Sequence, residues 1–138
     1  MAEEILRRLR YSNDEVSAIT ACIANHMAFK DAPNMRVSTL KRLLARPTFV
    51  EELELHRIDC SSCHGQLDIH SFLTAKLNEF SQEEIKPKPL VTGHDLQQLG
   101  AKPGPSMGKL LHQLMDEQLE GKFADRTTAL ARAQELLK

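Results

Sequence analysis

The sequence contains no tryptophan, and aromatic residues make up only 4% of its 138 positions. Leu, Ala, Glu, Lys and Arg dominate instead, and such a composition favours helices over sheets. We therefore predict an all-α protein, with a multi-helix body and a small C-terminal helical unit.

Long apolar runs are missing as well. No stretch approaches the ~20 apolar residues that a membrane-spanning helix needs. The N-terminal residues, MAEEILRRLR, are charged and lack the apolar segment of a secretory signal. Three cysteines, an odd number, argue against a disulfide framework. We expect a cytoplasmic protein with no membrane partner.

Sequence motifs of catalysis are also absent. There is no P-loop, no G-x-S-x-G and no paired acidic D-x-D motif anywhere in the chain. We therefore expect no catalytic residue, cofactor or metal in this chain, which alone is not an enzyme.

Charge is nearly balanced overall but unevenly distributed. The net charge is -1 and the pI is about 6.6, which argues against a uniformly basic nucleic-acid binder. Residues 1–46 hold eight Lys and Arg against five acids, residues 47–85 hold two against eight, and residues 86–138 hold eight against six. Two mildly basic ends therefore flank an acidic middle.

Local signals predict the helix boundaries of the first part of the chain. A capping box from Ser12 to Glu15 predicts a helix to about residue 29. Ser38 is the predicted cap of a short basic helix, and Asp68 the predicted cap of a later one. Between them, a helix is expected to open at Pro47.

The segment KPKP at residues 86–89 cannot be helical throughout. We take it as the boundary between a helical body, residues 1–85, and a C-terminal tail, residues 86–138. A second capping box, Ser81 to Glu84, precedes it, and the tail is expected to hold three helices.

Residues 100–109 predict a helix end, a stiff turn and a new helix start. Gly100 can adopt the left-handed conformation that closes the first helix, and Pro103 prevents that helix from continuing. Gly104 suits the cap of the next helix, and Pro105 suits its first helical position. The amides that follow would lie unpaired at the positive end of a helix dipole. The turn could therefore hold a phosphate, or it could equally be a rigid connector with no ligand.

The sequence C-S-S-C-H at residues 60–64 is the pattern for covalent attachment of a c-type haem. His56, Cys60, Cys63 and His64 also share one predicted helix face, which makes zinc conceivable. Four ligands leaving one helix over about 12 Å cannot easily surround a single ion. We favour a structural role for these residues over a metal or haem site.

His94 and Asp95 form an H-D pair of the kind used by metal-dependent phosphohydrolases. No further His and Asp set accompanies them. Asp95 lies three residues after Thr92 at a predicted helix start, where a carboxylate favours the dipole. A structural role is again the preferred interpretation.

Basic residues outside the turn form a second group of candidates. Lys41, Arg42 and Arg46 are predicted on one helix face, and Arg36 precedes them. A single surface cation is usually solvated rather than bound to a ligand.

The combined motifs resemble the bacterial tRNA nucleotidyltransferases, a family of CCA-adding enzymes and poly(A) polymerase relatives. The tail carries the resemblance through Pro89, Leu90, Thr92, Gly93, Asp95, Leu96, Leu99, Gly100, Pro103, Gly104, Pro105, Gly108, Leu111, Gln118 and Gly121. Earlier segments are similar too, including Tyr11-Ser12-Asn13, Asn25-His26-Met27, Arg46-Pro47 and Leu55-His56-Arg57. Essentially the whole chain is covered.

The resemblance implies a part of the enzyme that binds tRNA and does not catalyse. The glycine-rich nucleotide loop and metal-binding aspartates of the family's head are not found here, so Mg²⁺ and a nucleoside triphosphate would belong to a head supplied in cis or in trans. The chain is expected to be a fragment or the product of a short gene. The residues expected to contact the tRNA backbone are Lys102, Gly104, Ser106, Gly108 and Lys109, then Arg36, Lys41, Arg42 and Arg46.

Two alternatives stay open at this point. The chain could be a helical interaction module that packs on the head or forms a homodimer, because amphipathic helices cut from a larger protein expose apolar surface. The least favoured alternative is a metal or haem protein. The choice between CCA, single A and poly(A) addition would be made by the head.

Overall fold

A computed structural model describes the whole chain, Met1–Lys138. It contains no strand, and the predicted all-α class is confirmed. Nine α-helices are joined by short connections and two 3-10 helices, His26–Phe29 and Ala32–Asn34. The α-helices are α1 Ala2–Arg8, α2 Asn13–Asn25, α3 Val37–Leu44, α4 Phe49–Cys63, α5 Asp68–Glu79, α6 Gln82–Ile85, α7 Gly93–Gln98, α8 Pro105–Leu119 and α9 Arg126–Leu136. None of these helices is long and apolar enough to cross a membrane.

The chain forms two compact units. The first contains Met1–Met35 and Leu43–Phe80, and the second contains Arg36–Arg42 and Ser81–Lys138. Residues 36–42 thus group with a part of the chain that lies far along the sequence. The predicted boundary between a body, residues 1–85, and a tail, residues 86–138, stays a prediction.

The three capping boxes of the structure lie where the sequence signals them. Ser12, Ser81 and Thr92 each accept a hydrogen bond from the backbone amide three residues later, and each has its own amide bound by the acidic side chain there. This exchange satisfies two donors that a helix start leaves unpaired.

Two predicted caps are wrong. α3 begins at Val37, so Ser38 lies within the helix, and its buried hydroxyl donates to Glu120 at 3.0 Å instead of capping. α5 has Leu67 at its cap position with no side-chain hydrogen bond, and Asp68 is its first helical residue. Ser38 is thus the second residue of its helix and Asp68 the first, so neither lies at a cap position.

The core of the first unit surrounds Phe29, which is fully buried. Its ring meets Phe49 edge-on with centroids 5.8 Å apart, and it meets the His56 ring at 5.6 Å. The predicted helix to about residue 29 changes to a 3-10 turn after Asn25, and Met27 on that turn is exposed.

A buried carboxylate connects several segments of the first unit. The Glu52 side chain is 0% exposed and accepts hydrogen bonds from Asn25 at 2.9 Å and Thr48 at 2.7 Å. Arg46 Nη1 lies 3.2 Å from its second oxygen. A buried charge is tolerated when it is paired and hydrogen-bonded in this way.

The core of the second unit packs α7, α8 and α9 together. It is built from Val91, Leu96, Leu114, Phe123, Ala129 and Ala133. At its edge Glu117 accepts hydrogen bonds from Arg132 at 2.9 and 3.2 Å and from Gln113 at 3.2 Å. The Arg132 hydrogen bonds hold the pKa of Glu117 below its ordinary value of 4.5.

Replacing Glu52 with Ala should destabilise the first unit by about 3 kcal/mol, because the change leaves Arg46, Asn25 and Thr48 without their shared acceptor. The matched control is Glu51→Ala, since Glu51 is exposed and makes no ion pair. Urea unfolding followed by circular dichroism measures the difference. Equal losses in the two variants would contradict a structural role for Glu52.

Acid should weaken the second unit through Glu117. Because its folded pKa is lowered, Glu117 contributes stability that is present above about pH 4.5 and is lost as the pH falls through the folded pKa. Thermal unfolding between pH 7 and pH 3 should therefore show a smaller acid-induced fall in Tm for Glu117→Gln than for the parent. Glu135→Gln, which removes an exposed partner of the same arginine, should keep the parental fall.

Candidate nucleic-acid interface

The predicted turn between α7 and α8 forms as expected. Gly100 has φ 97°, and Gly104 has φ 155° with ψ -175°, a combination that is essentially restricted to glycine. Gly104 is the N-cap of α8 and Pro105 its first helical residue. All residues from 102 to 106 are exposed.

The start of α8 leaves two backbone donors without a partner. The amides of Ser106 and Met107 make no hydrogen bond within the chain, whereas the Gly108 amide donates to the Gly104 carbonyl at 3.3 Å. They lie at the positive end of a 15-residue helix, which favours an anion there.

Gly108 occupies an exposed position inside α8 without a packing reason. A Cβ placed on it would meet no atom within 4 Å. Glycine inside a helix costs about 1 kcal/mol relative to alanine, so the chain gives up helix stability here. No group inside the protein requires this position to lack a side chain. A ligand that approaches the helix closely would require it.

Lys102 and Lys109 extend the positive character of the turn. Both are exposed, and neither forms an ion pair or hydrogen bond with another residue of the chain. The five predicted turn residues therefore lie together on an open surface. This surface carries unpaired backbone amide donors and two lysines that no carboxylate pairs with.

The other predicted cations of the second unit are engaged with α8 and the residue after it. Arg36 pairs with Glu120 at 2.6 Å, and Arg42 pairs with Asp116 at 2.8 Å. Lys41 is buried, and its ammonium donates to the Leu119 carbonyl at 3.1 Å, at the C-terminal end of α8. Arg36 differs from the other two because 68% of its side chain is exposed.

Arg46 belongs to the first unit, where it pairs with the buried Glu52. The prediction that it shares a helix face with Lys41 and Arg42 is wrong, because α3 ends at Leu44. Pro47 lies just before Thr48, the N-cap of α4, so the helix starts two residues later than expected.

Asp95 holds the segment before the turn in place. It closes the Thr92 capping box, and its other oxygen lies 2.6 Å from Arg126 on α9. Hydrogen bonds from Thr92, and secondarily from Arg126, hold the pKa of Asp95 below its usual range. Asp95 therefore has the structural role that the sequence predicted, while the adjacent His94 is exposed beside Gln98.

Gln118 fixes the start of the same segment through its side-chain amide. Its oxygen accepts from the Leu90 amide at 3.1 Å, and its nitrogen donates to the Lys88 carbonyl at 2.8 Å. Arg126 adds a bond to the Leu90 carbonyl at 3.0 Å. The sequence pattern contained Gln118 but gave no sign of this bridging role.

The C-S-S-C-H residues lie at the end of α4 in the first unit. Cys60 is buried with its sulfur 3.6 Å from His56 Nε2, and burial lowers the pKa of His56. Cys63 and His64 are exposed, and the His64 ring accepts from the Gln66 amide at 3.1 Å. Gly65, with φ 70°, follows the C-cap residue His64. No three His, Cys, Asp or Glu residues converge on a point that could hold a metal ion.

The chain is similar to known proteins along nearly its whole length. The family model for tRNA nucleotidyltransferase domain 2 matches residues 1–133. The CC-adding tRNA nucleotidyltransferase of Synechocystis sp. is 30% identical over 142 residues, an alignment that covers 100% of this chain. The chain spans about a third of that relative, 34% of its length. No solved structure matches the chain significantly.

Substituting the two glycines of the turn should have opposite effects on stability. Gly104→Ala should lower the free energy of unfolding by about 1–3 kcal/mol, because alanine does not adopt this backbone conformation readily. Gly108→Ala should raise it by about 0.5–1 kcal/mol, because the backbone is helical and the new methyl group has free space. Chemical unfolding of both variants tests the pair, and a loss of stability in Gly108→Ala would contradict the geometry of the turn.

Proposed function

The chain belongs to the tRNA nucleotidyltransferase domain 2 family, and we propose that it holds the tRNA backbone while a separate catalytic head adds nucleotides. The proposed contacts are the turn residues Lys102, Gly104, Ser106, Gly108 and Lys109. Its site of action would be the cytoplasm.

One observation supports this proposal above all others: the turn concentrates binding groups that the protein itself does not use. Two amides and two lysines lack internal partners, and Gly108 has no packing reason to be glycine. A phosphate would accept from the amides, pair with the lysines and approach closely over Gly108.

The chemistry of the turn favours backbone contacts over base recognition. Residues 100–109 include no aromatic side chain on which a base could stack. A-form RNA hides its major-groove edges, so recognition of a duplex relies on shape, phosphates and 2′-hydroxyl groups. A protein that must accept every tRNA has reason to use this mode.

Arg36, Lys41, Arg42 and Arg46 remain proposed contacts of a second rank. A phosphate would have to compete with the carboxylates or the carbonyl that these side chains already bind. Arg36 is best placed to change partners because it is the most exposed of the three arginines.

We place the chemical step outside this chain, in a head supplied in cis or in trans that would bind Mg²⁺ and a nucleoside triphosphate. The parent protein would thus be a tRNA nucleotidyltransferase. The relative from Synechocystis sp. is named for CC addition, which favours a parent that builds the tRNA end over one that makes poly(A).

A second candidate function is packing on that head or on another copy of the chain. Eight of the nine most exposed large hydrophobic residues belong to the first unit: Met1, Ile5, Leu9, Tyr11, Ile23, Met27, Val50 and Ile58. Exposed apolar residues mark an interaction site where they form one contiguous patch. The two functions are compatible because the turn belongs to the second unit.

Lys109→Glu should weaken tRNA binding about tenfold, because it removes a charged contact to phosphate worth about 1.5–3 kcal/mol. The plot of log affinity against log salt should also become shallower by about 1. Fluorescence anisotropy with labelled tRNA measures both quantities, and circular dichroism should be unchanged. Lys138→Glu, at the exposed C-terminus beyond the family match, is the charge-matched control.

The proposal is contradicted if the unsubstituted chain does not bind tRNA at low salt, or binds it independently of salt. A tight dimer in sedimentation, together with indifference to tRNA, would instead support the packing function alone. Equal behaviour of Lys109→Glu and Lys138→Glu would remove Lys109 from the interface.

A further inference from the structure

A second basic feature of the second unit lies along α8, beyond the turn. It is an open cleft of about 510 Å³, which we call the α8 cleft. Its charged lining consists of Arg36, Lys109, Asp116, Glu117 and Lys122. Lys109 belongs to both the turn and the cleft, so the two features adjoin.

The two carboxylates that line the α8 cleft are neutralised by other arginines. Asp116 pairs with Arg42 at 2.8 Å, and Glu117 accepts two hydrogen bonds from Arg132. Neither arginine lines the cleft. The acidic lining therefore compensates the three cations of the cleft only in part.

Two of those three cations share one carboxylate. Arg36 lies 2.6 Å and Lys122 3.4 Å from the oxygens of Glu120, and Lys109 has no acidic partner. Around the cleft, five positive charges face four negative charges on Asp116, Glu117, Glu120 and Glu135, which leaves a surplus of one. Charges that face a shared concavity attract an anion more strongly than the same charges spread over a surface.

We propose that the α8 cleft is a second phosphodiester-binding site, one that takes the RNA strand onward from the turn. Its volume suits a ligand of one or two nucleotide units. Ser106 and Gln113 are about 10 Å apart along α8 at about 1.5 Å per residue, so one strand can contact both sites. The inference rests on the proposed tRNA binding and assigns a role to Lys122.

The chemistry of the cleft points to the sugar-phosphate backbone. It has no aromatic side chain for base stacking, and the polar groups of His112 and Gln113 at its wall suit hydroxyl groups. Inorganic diphosphate carries the same phosphate chemistry in free form. The test below therefore includes it as a separate probe.

The test is tRNA binding by the double variant Arg36→Gln/Lys122→Gln across a series of salt concentrations. The log affinity against log salt plot should become shallower by at least about 1, and affinity at low salt should fall about tenfold or more. Lys138→Gln is the control and should match the parent. If the double variant does not fold, Lys122→Gln alone leaves Glu120 with Arg36 and Ser38 and should give about half of the change in slope.

The outcomes separate the two proposals. Suppose that the unsubstituted chain binds tRNA and that Lys109→Glu weakens this binding. If the double variant then keeps the affinity and salt slope of the unsubstituted chain, the α8 cleft proposal is overturned and the proposal for the turn is retained. If the unsubstituted chain does not bind tRNA, both proposals are overturned. Saturable binding of inorganic diphosphate that requires Arg36 and Lys122, with tRNA affinity unaffected, would assign the cleft to a free phosphate compound and overturn its role in RNA binding.

Discussion

Ion pairing with α8 and the residue that follows it decides which cations of the second unit remain available to a ligand. Asp116 and Glu120 bind Arg42 and Arg36, and the end of α8 also accepts the buried Lys41. The N-terminal end of the same helix has no acidic residue in its first turn. One helix therefore offers anchoring at its C-terminal end and open donors at its N-terminal end, as its dipole favours.

The sequence allowed accurate prediction of several features that depend on neighbouring residues, although the Asp68 cap and the helix start at Pro47 were also local signals and are wrong. The capping boxes, the Gly100 closure and the Gly104-Pro105 start of α8 are all local, and all are confirmed. Ser38 fails as a cap because its hydroxyl bonds Glu120, which lies 82 residues away. A partner that is so distant in the sequence leaves no periodicity or spacing pattern, so it cannot be predicted from neighbouring residues.

The candidate site shows the same division. Exposure of the five turn residues follows from the turn itself, so their placement together could be predicted. The ion pairs that Arg36, Arg42 and Arg46 form with carboxylates could not be predicted, because folding determines which carboxylate lies beside each arginine. Lys122 was visible in the sequence only as one basic residue among several, because its proximity to Arg36 depends on residues 36–42 grouping with the second unit.

In the proposed complex, the unpaired amides at the start of α8 donate hydrogen bonds to an RNA phosphate. A nitrogen-proton correlation NMR spectrum of the ¹⁵N-labelled protein, recorded as tRNA is added at low salt, tests it most directly. We expect the Ser106 and Met107 amide signals to change most, and added salt to reverse the change. Changes confined to the exposed apolar residues of the first unit, with both of these signals unmoved, would contradict it.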